Sequence, residues 1–195
     1  CCSSSEYYGK VEKSELPITE KHPPRPGNPY AIGKIGADVA CYFYNRYYGL
    51  NIICSRLFTH TSGRRTMMSA EINFARQIAL IEKGKQKPIV YHGNLNSMRT
   101  WAHVKDAVKA YYLMATKGKT GEVYNVAGDT QRTIGEALDY LISLSPMKDK
   151  IKKQLDQKLS RKIDVDMQIV DCSKFKKDTG WKPEISFEEI LQDIL

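Results

Sequence analysis

The sequence predicts an α/β fold, a largely parallel sheet covered by helices. Three observations carry that prediction. Short apolar runs alternate with helical patterns along the whole chain. Residues 50–58 (LNIICSRLF) form a nearly unbroken apolar run, the mark of a parallel strand buried on both faces. Hydrophobic residues make up 42% of the 195, enough to bury the core of one domain or one and a half.

The elements follow in order. CCSSSEYYG at the start is a small-residue run that reads as a strand end entering a loop. Pro17, Pro23, Pro24, Pro26 and Gly27 punctuate a long loop. Asn28 and Pro29 then start a helix, Asn as N-cap and Pro in the first turn, which runs to about Tyr48 and stops at Gly49. After the 50–58 strand, THTSGRRTMM reads as a polar loop. A helix starts at Ser69 or Ala70, runs to about Lys83 and closes at Gly84. Strands are predicted over 88–92, 99–104 and 122–127, with a helix over 106–116. Thr133 caps a helix that ends before Pro146, and the lysine-rich stretch 148–160 predicts a weakly amphipathic helix. A strand over 165–170, a short helix over 173–178 and a last helix from Ser186 complete the chain.

Composition excludes several classes. The five cysteines, Cys1, Cys2, Cys41, Cys54 and Cys172, are odd in number and scattered, so they are not a disulfide framework. No pair has metal-ligand spacing beside nearby histidines, so no metal is expected. They read as small buried hydrophobes in a reducing cytoplasm. A net charge of +8 fits nucleic acid, a membrane surface or a phosphorylated ligand. The lysines are densest over 148–162, where interleaved acids and apolar residues suggest a solvated face. No nucleic-acid-binding signature is present, so nucleic acid is not an expected partner. No window approaches the roughly 18 apolar residues of a membrane span, and residues 1–6 carry no signal-peptide pattern. A cytoplasmic chain without a membrane partner is the expectation.

The strongest chemical signal is Tyr30-Ala-Ile-Gly-Lys34. Positions i and i+4 share a helix face, so the Lys34 ammonium can stand near the Tyr30 phenol and favour the phenolate. That suits Tyr30 to take a proton from an alcohol. Tyr and Lys at this spacing are common by chance, and context decides. Upstream stands Ser3-Ser4-Ser5-Glu6-Tyr7-Tyr8-Gly9, at the end of a candidate parallel strand, where ligands of open α/β sheets bind.

A serine-rich strand end with YG, a proline-rich loop and then PYxxxK resembles an extended short-chain dehydrogenase/reductase. SSSEYYG resembles the STSELYG of the GDP-mannose 4,6-dehydratase family, and further segments follow in family order. FTHTSGRR (58–65) resembles FNHESPRR, and GNLNS with RTWAHVKDAVKA (99–110) resembles GNLDA with RDWGHAKDYVEA. EVYNVAGDTQRTI, RKIDVD with DCSK, and GWKPEISFEE also have counterparts, so the likeness spans the whole chain. Thr59 in place of asparagine, Gly63 of proline, Asn73 of lysine and Lys162-Ile163 of Pro-Thr mark a divergent branch.

The resemblance implies the C-terminal part of a Rossmann-like doubly wound parallel sheet, with a smaller α/β substrate-binding domain. Residues 1–58 would belong to the dinucleotide-binding domain, and 59–195 mainly to the substrate domain with segments returning to the first. It implies NADP, with NAD as the alternative, and dehydration of a nucleotide sugar, GDP-mannose, to the 4-keto-6-deoxy sugar. Ser4, Glu6, Tyr30 and Lys34 take the catalytic places. Tyr30, Lys34, Leu57, His60 and Arg65 fall against the cofactor; Ser5, Thr59, Asn73, Arg99 and Arg161 fall against the substrate. Within the same superfamily, a UDP-glucuronate decarboxylase or a sugar-nucleotide epimerase is the alternative; a non-catalytic nucleotide-sugar binding fragment is another. The GxxGxxG turn of such enzymes is absent, and on the order of 120 residues, about four βα repeats, are expected upstream. Tyr42, Phe43, Tyr44, Tyr47 and Tyr48 on the YxxxK helix predict a homodimer or homotetramer that pairs there.

Overall fold

A computed structural model describes residues 1–159 and 167–195. After 3-10 turns at Ser5–Tyr7 and Lys13–Glu15 come α1 (Pro29–Tyr48), β1 (Cys54–Leu57), β2 (His60–Thr61), α2 (Ala70–Glu82) and β3 (Ile89–His92). They are followed by β4 (Met98–His103), α3 (Val104–Lys117), β5 (Val123–Val126), β6 (Thr130–Thr133) and α4 (Ile134–Leu144). The described elements end with β7 (Lys152–Leu155), a 3-10 turn at Gln157–Leu159, α5 (Ser173–Thr179) and α6 (Phe187–Ile194).

The helix ends are where local chemistry put them. Asn28 Oδ1 accepts from Ala31 N at 2.8 Å, and Gly49 closes α1 in the left-handed region at φ 67°. Thr133 and Glu136 form a reciprocal capping box on α4, as Ser186 and Glu189 do on α6.

β1 and β5 pair in parallel, and Cys2 bridges to Ser55 on the other edge of β1. β1 is therefore central, and all four of its residues are buried. Its alternation sorts two faces. Leu57 joins Ala107, Ala110, Met114, Tyr124, Phe175 and Trp181 in a core under α3 and α5. On the face toward α1, Arg56 Nε donates to Asp38 Oδ2 at 2.8 Å in a buried ion pair. A larger core joins α2, α4 and α6 through Phe74, Ile78, Trp101, Leu138, Phe187 and Ile190. Each such side chain contributes roughly 1.5–3 kcal/mol by leaving water. This unit also holds the parallel pairs β2–β4 and β3–β7 and the antiparallel pair β4–β6. A third cluster of Tyr8, Val11, Ile18, Phe58, Ala127 and Cys172 seats the proline-rich loop on the β1–β5 sheet.

The structure corrects the sequence reading at four places. Over the described residues of the helix predicted at 148–160, the chain forms a turn, β7 and a 3-10 turn instead; residue 160 lies outside the described residues. All four β7 residues are exposed, and it is held by its ladder to β3 and by Lys153 donating to Asp139 at 2.6 Å. Backbone pairing with a distant strand leaves no side-chain periodicity to read. The 50–58 strand shrinks to β1, because the turn after Gly49, with Asn45 Nδ2 donating to Leu50 O at 2.8 Å, uses up its first residues. β2 and β6, polar in sequence, are strands through their pairing with β4. Of the 165–170 strand, 165 and 166 lie outside the described residues; Met167 and Val170 make single bridges to Met98 and Ile18.

Candidate active site

Ser3-Ser4-Ser5 follows the short edge segment at Cys2 and turns at once into a 3-10 helix. Ser4 is its N-cap: the Ser4 Oγ accepts from Glu6 N at 3.2 Å. The turn ends at Gly9, whose φ is 55°. A Cβ on Gly9 would lie 1.7 Å from the Arg25 carbonyl oxygen, so only glycine lets the returning loop pass. Arg25 N donates to Tyr7 O at 2.9 Å, and its guanidinium clasps Glu15 through two hydrogen bonds of 2.6 Å.

That loop delivers Asn28 to the turn. Asn28 caps α1 with its oxygen and donates from Nδ2 to Glu6 Oε2 at 3.0 Å. One side chain thus ties the Glu6 carboxylate to the helix that carries Tyr30. Lys34 anchors the same helix to the strand end by donating from Nζ to Cys2 O at 2.7 Å. Its ammonium stands 5.5 Å from the Tyr30 ring centroid, as the i,i+4 spacing predicts. The structure therefore brings Ser4, Glu6, Tyr30 and Lys34 to one place. Tyr30 is 57% exposed. Tyr8 is fully buried, and burial pushes its pKa up to about 12 against the pull of Arg56; burial also raises Tyr111. Tyr8 serves as a structural donor, to Asn125 Oδ1 at 2.6 Å.

The other predicted residues are spread more widely. Ser5 is buried in the turn beside Ser4. The Leu57 side chain lies in the core. Thr59 lends its carbonyl to Ala102 N at 3.0 Å. His60 Nδ1 bonds the Phe58 carbonyl at 2.9 Å, and burial lowers its pKa. Arg65 donates to His60 O at 3.0 Å and to the buried Glu71 at 3.1 Å. Asn73, on α2, accepts from Gln77 at 2.6 Å. Arg99, on β4, donates to Met98 O at 2.9 Å and stands across the ladder from Arg132. Arg161 lies outside the described residues.

Two features escaped the sequence reading. Asn28 reads as a cap, and nothing local reveals its second bond to Glu6. Thr100 is buried with no hydrogen-bond partner for its hydroxyl among the described residues. It lines a hollow with Gly128, Asp129, Asp171 and Lys176 just past the carboxyl end of β5, where ligands of such sheets bind. A Cβ on Gly128 would meet the Trp101 carbonyl oxygen at 1.5 Å, so glycine there permits the close approach of β4.

A parallel sheet with a Tyr–Lys helix, a hydroxyl and a carboxylate at the strand end defines the short-chain dehydrogenase/reductase class of nucleotide-sugar enzymes. Within it, the chain belongs to the GDP-mannose 4,6 dehydratase family, whose model matches residues 1–194. It is 30% identical over 195 residues to the GDP-6-deoxy-D-mannose reductase of Pseudomonas aeruginosa, covering 99% of this chain and 63% of that protein. It is 30% identical over 209 residues to the human GDP-mannose 4,6 dehydratase, covering 99% of this chain and 55% of that protein. Among solved structures, RMD from Pseudomonas aeruginosa complexed with NADPH superposes with a TM-score of 0.91 at 29% identity, over all of this chain and 64% of that one. The dTDP-glucose 4,6-dehydratase of Bacillus anthracis in complex with NAD gives a TM-score of 0.82 at 27% identity, over 99% of this chain and 58% of that one. The chain thus spans less than two thirds of the length of these relatives, and its fold is the C-terminal portion of theirs. No helix among the described residues is long and apolar enough to cross a membrane.

Proposed function

We propose that this chain carries the proton-transfer residues of an enzyme that dehydrates a nucleotide sugar, GDP-mannose, to its 4-keto-6-deoxy form. The observation behind this reading is the 3.0 Å bond between Asn28 and Glu6, which seats a carboxylate beside the Tyr–Lys helix. Oxidising an alcohol calls for a tyrosine, a hydroxyl and a lysine. Eliminating water also calls for a group that takes a carbon-bound proton, and a carboxylate at hydrogen-bonding reach meets that need.

In this assignment Tyr30 takes the proton of the sugar 4-hydroxyl, and Ser4 donates a hydrogen bond to the same oxygen. Lys34 keeps positive charge beside the phenol. An ammonium has three N–H donors and Cys2 O takes one, so Lys34 can also hold a ribose hydroxyl. Glu6 removes the carbon 5 proton made acidic by the 4-keto group and passes it to the hydroxyl that leaves carbon 6 as water; carbon 5 then regains a proton that has come from solvent. When bound, NADP, or NAD in its place, would supply the hydride acceptor and donor for this chemistry. The relatives solved with NADPH and with NAD support that pairing. Leu57, His60 and Arg65 would border this cofactor; Ser5, Thr59, Asn73, Arg99 and Arg161 would border the sugar nucleotide, the arginines through charge-assisted bonds to phosphate. Residues 1–58 would serve the dinucleotide side and 59–195 mainly the substrate side, with β5 returning to pair with β1. The exposed aromatics of α1 would pair with a second copy of the chain.

The test is product analysis of the full-length protein with GDP-mannose in deuterated water. The expected product is a 4-keto-6-deoxy sugar with deuterium at carbon 5. Glu6→Gln should still reduce the cofactor but not exchange the carbon 5 proton. Normal deuterium incorporation in that variant would sink the assignment; carbon dioxide released from UDP-glucuronate in a parallel assay, or an epimer as product, would assign the chain to the decarboxylases or epimerases. A second reading has support from the reductase relative: reduction of a 4-keto nucleotide sugar, with Tyr30 as acid. It requires activity that survives Glu6→Gln.

A further inference from the structure

The cysteines are scattered in the sequence, which predicts no metal. The fold brings three of them together. Among the described residues, Cys1, Cys41 and Cys54 hold their sulfur atoms within 4.8 Å of one another. They come from three places: the strand end that opens the chain, the middle of α1 and the first residue of β1.

Two periodicities and one ion pair produce the convergence. Cys54 and Arg56 are two apart on β1 and share its face toward α1. Asp38 and Cys41 are three apart on α1 and share its face toward β1. The buried Arg56–Asp38 pair, 2.8 Å, therefore clamps the two elements one step from the two thiols. The third sulfur is held by backbone: Ser55 N donates to Cys1 O at 2.9 Å, and Cys54 N donates to Glu122 O at 3.0 Å on the β5 side. The scaffold around the sulfurs is thus fixed by bonds that owe nothing to a ligand.

We propose that Cys1, Cys41 and Cys54 bind a thiophilic d10 cation of the zinc class and clasp α1 to the sheet. Zinc–sulfur bonds of about 2.3 Å put the sulfurs of such a site about 3.8–4.0 Å apart. The three sulfurs need to close by less than about 1 Å to reach that spacing. Binding breaks three S–H bonds, forms three sulfur–metal bonds and releases three protons to solvent, with no change of oxidation state. Cys54 is 4% exposed and forms the floor, while Cys1 is exposed and Cys41 partly so, which leaves an entry path and room for a water as fourth ligand. Asp38 is engaged by Arg56, so the donor set is sulfur alone, a set that selects zinc-like ions over magnesium or calcium. Cys41 lies seven residues beyond Lys34, about 10 Å along the helix axis, so the clasp is separate from the Tyr30 site.

The test uses the full-length protein, reduced and stripped with a chelator, then titrated with Cd²⁺. Thiolate-to-cadmium absorption in the ultraviolet reports the bonds, and mass spectrometry counts bound metal. One equivalent should bind with the intensity of three thiolates. Cys41→Ser, at a partly exposed position that should fold, should weaken binding at least about 100-fold. Cys2→Ser, an exposed neighbour outside the cluster, should leave it unchanged. Circular dichroism of both variants checks the fold. Failure to saturate at one equivalent, or equal binding by Cys41→Ser, overturns the proposal.

Discussion

Helices α1 and α2 have similar beginnings and ends and opposite surroundings. Each starts at a polar N-cap, Asn28 or Ser69, and each is followed by a glycine in the left-handed region, Gly49 or Gly84. Yet α2 buries seven of its thirteen residues, while α1 buries only Ala31 and Asp38 of its twenty. Its C-terminal half shows Tyr42, Phe43, Tyr44, Tyr47 and Tyr48 to solvent, with Phe43 and Tyr47 rings 5.1 Å apart. What holds α2 is apolar packing; what holds α1 is polar. Asn28 to Glu6, Lys34 to Cys2 and Asp38 to Arg56 fix it at three successive heights. A helix fixed in this way keeps Tyr30 in register and leaves its outer face exposed along its length.

Substitutions at four positions test that difference. Ile78, 0% exposed on α2, sits in the largest core. Ile78→Ala should cost about 2–5 kcal/mol in denaturant unfolding, through lost transfer energy and a cavity. A cost under about 1 kcal/mol would show that α2 is not held by packing. Tyr30→Phe on α1 should do the reverse. Turnover should fall at least about 100-fold, the scale of general acid–base catalysis, with stability changed by less than about 0.5 kcal/mol at so exposed a site. Near wild-type turnover would remove Tyr30 from the chemistry.

Asn28 separates the cap from the tether. Asn28→Ala should lose about 1 kcal/mol of stability and slow carbon 5 exchange. Asn28→Asp keeps the cap acceptor but sets a negative charge against Glu6. It should recover stability and not exchange; recovery of both would mean that the bond to Glu6 is incidental. The smallest effect belongs to Tyr47, 71% exposed. Tyr47→Ser should change subunit stability by less than about 0.5 kcal/mol and shift light scattering of the full-length protein toward smaller species. An unchanged assembly would remove this end of α1 from the interface.

Legibility followed the range of the interaction. Helices α1 and α2, α4 from Thr133 and α6 from Ser186 were readable because caps, glycine stops and apolar spacing act within a few residues. The Tyr30–Lys34 pair was readable for the same reason: four residues on a helix make one face, and the structure keeps the ammonium 5.5 Å from the ring. Ser4 and Glu6 could be singled out only with the help of a family likeness, since no local rule separates them from the serines around them.

The sequence by itself determined where most helices start and stop, which strand is central, and that Tyr30 and Lys34 share a helix face. Only the tertiary structure decided that 152–155 is a strand and not a helix, because a backbone ladder to β3 outweighs a weak local pattern. It also decided that Asn28 reaches Glu6, 22 residues away, that Arg56 finds Asp38 under α1, and that Cys1, Cys41 and Cys54 meet. Such contacts join groups whose separation along the chain carries no period. They exist because burying an arginine, or orienting a carboxylate, requires a partner that only the packed sheet and helix can bring within reach.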